Sequence, residues 1–104
     1  MKECIKEWLL KQMPEMDDDT LGAIYEEYRD SAVRLWGDLK ANVSSGGDPV
    51  AADRLAHTLK GSAATVGDND VFEVVQGWRE AVKAGDTARA DELWVKIGPL
   101  IEAI

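Results

Sequence analysis

The chain has one cysteine, Cys4, one histidine, His57, and one phenylalanine, Phe72. A lone cysteine excludes an internal disulfide, and its use fits a reducing compartment. One histidine and one cysteine far apart give no zinc-ligand spacing. Basic residues are also scarce: 12 Lys and Arg stand against 20 Asp and Glu, for a net charge of -8. That balance argues against nucleic acid and anionic membranes as partners, because both are bound through a cationic excess. No apolar run approaches the ~20 residues of a membrane span. The N-terminus lacks a basic-then-apolar leader pattern, since Glu3, Lys6 and Glu7 interrupt it. The expected location is the cytoplasm. No Walker-type glycine loop is present, so no ATP site is expected. Asp68-Asn69-Asp70 begins like a calcium loop, but Phe72 and Arg79 occupy positions that need oxygen ligands, so the aspartates read as helix caps and no metal is expected on this chain.

Alternating, strand-like patterns are absent as well. Every clear period is helical. Ile5, Trp8, Leu9 and Met13 form a short amphipathic segment that stops near Pro14. After the capping run Asp17-Asp18-Asp19-Thr20, the residues Leu21, Ile24, Tyr28, Ala32, Leu35, Leu39 and Val43 mark a long second helix with one buried stripe. Ser44-Ser45-Gly46-Gly47 breaks it. Asp48-Pro49 starts a third helix, with Ala52, Leu55, Leu59, Ser62 or Ala63, and Val66 as its core stripe and Gly67 as its stop. Asp68 or Asn69 is the expected cap of a fourth helix buried through Val71, Val74, Val75, Trp78 and Val82. Gly85-Asp86 separates it from a fifth, carrying Ala90, Leu93, Trp94, Ile97, Ile101 and Ile104. Gly98-Pro99 falls inside the fifth, where a kink or a break is expected. Of the tryptophans, Trp8, Trp78 and Trp94 fall on or near buried stripes, whereas Trp36 lies beside one and is expected to be half exposed. The pattern predicts an all-α fold: one domain over residues 1–104, an antiparallel four-helix bundle with a short additional N-terminal helix.

His57 sits in the run Ala56-His57-Thr58-Leu59-Lys60-Gly61-Ser62-Ala63-Ala64. Leu55 and Leu59 each lie about 200° around the helix axis from it, so leucines facing the core turn the imidazole to solvent. Its stripe runs from Asp53 or Arg54 through His57, Lys60 and Gly61 to Ala64. An interior glycine costs a helix roughly 1 kcal/mol relative to alanine. On the exposed side that cost needs another reason. A neutral imidazole, an ammonium one turn away and a bare backbone patch describe a place where a phosphoryl group can be received. Taken singly, each of these residues is more simply a solvated surface position; the combination carries the reading.

The segment His57-Thr58-Leu59-Lys60-Gly61-Ser62-Ala63, followed by Val66-Gly67, resembles the signature of histidine-containing phosphotransfer (HPt) domains. Gly67, the apolar-patterned fourth helix, Ala84-Gly85-Asp86 and a final helix are similar to the same family's layout. The resemblance implies a four-helix bundle that carries phosphate between receiver-domain aspartates. It makes His57 the phosphorylated residue, supported by Lys60 and Gly61. It also implies that partners are the receiver domains of response regulators and hybrid histidine kinases. The receiver would contribute the magnesium ion, and this chain would hold no cofactor. The carrier would be a monomer and not an enzyme with kinase activity. One departure stands out: the family often has an apolar residue followed by glutamate on the fourth helix, where this chain has Trp78-Arg79. Gln76 and Arg79 are then candidates to assist, Gln76 at the non-reacting ring nitrogen or Arg79 at the phosphate, with Lys83 further along that side. Ala64 and parts of the second helix are expected to dock the receiver. The competing reading is a helical docking module, or a degenerate HPt-like adaptor, that binds receiver or kinase domains without transfer.

Overall fold

A computed structural model describes residues 1–104. Five helices follow one another: α1 Glu3–Gln12, α2 Asp18–Ser44, α3 Pro49–Val66, α4 Asn69–Ala84 and α5 Thr87–Glu102. There is no strand. α2 packs on α3, α3 on α4, α4 on α5, and α5 returns to α2, so four helices close a ring. Short turns make sequential neighbours antiparallel. The expected bundle with an extra N-terminal helix is therefore the fold. α1 lies against α2 and α3. The long α2 sets the length of a particle measuring 45 × 20 × 20 Å.

The helix starts follow local chemistry. Asp17 accepts from the Thr20 amide at 2.7 Å, Asp48 from the Val50 amide at 3.0 Å, and Asp86 from the Arg89 amide at 3.1 Å. Each carboxylate satisfies an amide that the first helical turn leaves without a partner. Pro49 occupies the first turn of α3, where its missing N–H costs nothing.

Asp68 departs from this pattern. It occupies the N-cap position of α4, but its side chain makes no capping bond. The carboxylate is instead fully buried. The Tyr28 hydroxyl donates to it at 2.7 Å, and Lys2 Nζ lies 3.0 Å from both oxygens. A buried charge needs such partners, and two arrive from α2 and the N-terminus. Burial, and then the hydrogen bond to Asp68, push the Tyr28 phenol well above its usual range. Beside this latch, Trp8 donates from Nε1 to the Thr65 carbonyl at 3.2 Å. Its side chain lies against Gly67, so a Cβ at that position would collide with Trp8 Cβ and Cγ. Gly67 also has φ 74°, the left-handed conformation that ends α3.

One apolar core runs through the bundle, drawn from all five helices. Most expected stripes enter it, with the following corrections. Val43 and Val82 are exposed, and Ala81 is buried in α4. Both valines line a cleft of about 320 Å³ between the α2–α3 and α4–α5 turns, at one end of the bundle. Ala63, not Ser62, is the buried residue of its pair, and Ile24, Leu55 and Val74 lie at the core margin. Trp8 is 40% exposed because it covers the α3–α4 turn from outside. Trp36 is buried where half exposure was expected. It packs against Trp94 at 4.7 Å between ring centroids, and Trp94 packs on Trp78 at 5.2 Å. Tilted ring pairs of this kind stabilise beyond their buried area. Finally, α5 runs through Gly98-Pro99 without a break. Ile97 and Ile101 anchor it on both sides, while Val95, whose carbonyl loses its partner to the proline, sits at an exposed position.

Candidate functional site

The third helix displays its polar stripe as the 3.6-residue period requires. Ala56, Leu59 and Ala63 point into the core, and His57, Gly61 and Ala64 are exposed on the opposite side. Lys60 is half-buried, with its ammonium 5.9 Å from the centre of the Phe72 ring on α4. That contact is cation–π in geometry and lays the lysine stem along the α3–α4 seam. A Cβ added to Gly61 would meet no atom of this chain within 4 Å. Nothing in the packing therefore asks for glycine there. Gly22 and Gly37 on α2 share this property, so the glycine gains meaning only from its place one turn beyond His57.

The fourth helix supplies the decisive side chain. Arg79 is buried, and its guanidinium spans from α4 to two residues of α3. Nε donates to Asp53 Oδ1 at 2.9 Å and Nη2 to Asp53 Oδ2 at 3.2 Å, a bidentate carboxylate pair. Nη1 lies 3.3 Å from His57 Nδ1 and also donates to Gln76 Oε1 at 3.3 Å. Gln76 Nε2 in turn donates to Glu80 at 2.9 Å. The hydrogen bonds from Arg79 hold the Asp53 carboxyl below the usual carboxylate value, and Asp53 raises the guanidinium further above its own.

These contacts redistribute the expected roles. Gln76 does not reach the ring; it braces Arg79. Arg79, expected at the phosphate, occupies the inner ring nitrogen. A guanidinium has five donors and no acceptor. His57 Nδ1 therefore accepts in this contact, and Nε2, which makes no hydrogen bond within the chain, is left on the solvent side. Asp53 lies on the histidine stripe by spacing, four residues before His57, and spacing alone gives it no partner. Its signal was the arginine at position 79, whose charge needs a counter-ion on a facing helix. Ala64 continues the exposed small-residue surface beyond Gly61. On the other side of that surface, Ser62, Thr65 and Val66 meet Ile24, Glu27, Tyr28 and Ser31 in a shallow groove against α2.

The arrangement leaves one ring nitrogen, Nε2, held from behind and open in front, with small residues beside it. No group of three or more His, Cys, Asp or Glu side chains is disposed to hold a metal ion. No helix is long and apolar enough to cross a membrane.

A family model described as "Hpt domain" matches residues 23–103. No curated protein and no solved structure matches the chain.

Proposed function

The chain belongs to the Hpt domain family, and from that premise we propose that it takes a phosphoryl group onto His57 Nε2 from the aspartyl phosphate of one receiver domain and passes it to the aspartate of another. Hpt domains are phosphorelay carriers of two-component signalling. The observation that supports this role here is the ring itself: Nδ1 is engaged inward by Arg79 and Nε2 faces solvent beside Gly61 and Ala64.

In the forward step Nε2 gives up its hydrogen to solvent or to the docked receiver, and the electron pair this leaves on Nε2 forms the N–P bond. The P–O bond to the receiver aspartate breaks, and its electron pair leaves with the carboxylate. A neutral imidazole carries one ring proton, and that proton is released. The reverse sequence delivers the phosphoryl group to the second receiver. The receiver supplies the magnesium ion and most of the charge stabilisation, and Lys60 adds a cation one turn from the ring. The chain binds no nucleotide and does not phosphorylate itself. It acts as a cytoplasmic monomer and meets the receiver through the surface around His57, Gly61 and Ala64, a transient contact of modest area.

The test is incubation with a receiver domain charged by acetyl phosphate. The expected product is an acid-labile, base-stable phosphate on the wild-type chain and none on His57→Gln. Binding of a receiver with no transfer to the wild type would favour a docking module instead. Phosphorylation of His57→Gln would refute the assignment of the residue.

A further inference from the structure

We infer that Arg79, held in place by Asp53, is a positioning residue that prolongs the life of the Nε2-phosphorylated ring by occupying the lone pair of Nδ1. The inference rests on the carrier reading for its setting, but its physical content concerns the ring and its neighbours alone.

Because the guanidinium can only donate, the neutral ring facing Arg79 carries its hydrogen on Nε2 and offers its lone pair at Nδ1. Phosphorylation at Nε2 removes that hydrogen and leaves a neutral ring with the same lone pair at Nδ1. The contact with Arg79 is therefore compatible with both the resting and the phosphorylated ring. It is incompatible with the state between them. When the N–P bond breaks, its electron pair stays on the imidazole. A ring protonated at Nδ1 leaves as neutral imidazole, whereas an unprotonated ring must leave as imidazolate, which is far less favourable. A proton arriving at Nδ1 competes with Arg79 for one lone pair and meets a fixed positive charge. Water attacking the phosphorus then finds a poor leaving group. The phosphoryl group stays until a docked receiver moves Arg79 or offers its own proton path.

The geometry makes this a built device. Asp53 grips two nitrogens of the guanidinium, and Gln76 accepts from the third. The ionisable groups of the network are Asp53 and His57 on α3 and Arg79 and Glu80 on α4, with the Lys83 charge acting on Asp53 from the same helix. Arg79 is the cation in direct contact with the ring.

The experiment charges the protein with phosphoramidate, which phosphorylates histidine without a receiver, and follows decay of the N–P signal by ³¹P NMR from pH 5 to 9. At neutral pH, Arg79→Ala should lose its phosphate about three- to tenfold faster than wild type, the effect of one hydrogen bond of ordinary net strength at a partly exposed site. Arg79→Lys, which keeps a donor-only cation, should recover part of the difference, and Asp53→Asn should fall between. The curves should draw together toward acid, as rising proton concentration outweighs the competition from Arg79. Equal half-lives across the range would overturn the proposal. A second measurement needs no variant: ring ¹⁵N shifts of the unphosphorylated wild type should show an unprotonated Nδ1 in the neutral form, and a dominant Nδ1–H tautomer would contradict it. A protein that decays as expected yet never exchanges phosphate with a receiver would refute the carrier reading and leave the role of Arg79 intact.

Discussion

Arg79 Nη1 lies 3.3 Å from His57 Nδ1 while the same guanidinium holds both carboxylate oxygens of Asp53. The imidazole is thereby oriented by the neighbouring helix, with one nitrogen committed inward and the other left for a partner. An exposed histidine without such a brace samples many rotamers. Here the turn-to-turn spacing of Asp53 and His57 lets one arginine contact both.

Gly61→Ala should separate stability from function. The added Cβ meets nothing within 4 Å, so the substitution restores helix propensity without a clash. The isolated fold should gain up to about 1 kcal/mol in urea unfolding. Transfer from a charged receiver should slow, because the methyl group narrows the approach to the ring. A gain in both stability and transfer rate would show that the bare backbone has no part in docking.

Gly67→Ala should act in the opposite direction. Its φ of 74° disfavours any side chain, and the new Cβ would strike Trp8. A loss of at least about 1–2 kcal/mol is expected, together with a change in Trp8 emission. A stability equal to wild type would mean that α1 packs elsewhere.

Tyr28→Phe tests the latch at the α3–α4 turn. It removes a 2.7 Å hydrogen bond to a fully buried carboxylate, at a cost of about 1.5–3 kcal/mol. Transfer at His57 should be retained, since Asp68 lies some 16 Å further along the chain direction of α3. Thermal unfolding and a transfer assay on the same sample check both halves.

The Asp53–Arg79 pair has a pH signature. Arg79 lowers the Asp53 carboxyl below 3.8 in the folded protein. A carboxyl depressed on folding contributes stability above its unfolded value and loses that contribution as pH falls through the folded one. Asp53 should therefore titrate below 3.8 by ¹³C NMR in the wild type and move up toward that value in Arg79→Ala. The stability difference between the two proteins should shrink in acid. An unchanged Asp53 titration would contradict the bidentate contact.

Much of this molecule was legible in its sequence. The stripes on α2, α3 and α5, the aspartate caps at Asp17, Asp48 and Asp86, and the outward turn of His57 all follow from period and local side-chain chemistry. What escaped depends on distance in the chain. Asp68 reads as a cap until Tyr28 and Lys2 arrive from 40 and 66 residues away. Val82 fits its stripe but faces the cleft at the end of the bundle. Trp36 is buried because Trp94 reaches it from α5. The roles of Gln76 and Arg79 were interchangeable by spacing, because both lie on one side of α4. The rotation of α4 against α3 decides between them and brings Asp53 into the site. Periodicity says which face of a helix is buried, but it does not say which residue stands opposite.

The most direct test of the account is to identify which ring nitrogen bears phosphate after transfer from a charged receiver, by ¹H–¹⁵N and ³¹P NMR of the labelled protein. The account predicts a single phosphohistidine at His57, with phosphorus bonded to Nε2 and Nδ1 unprotonated against Arg79. Phosphorus on Nδ1, or no phosphate on His57 with any charged receiver, would contradict it.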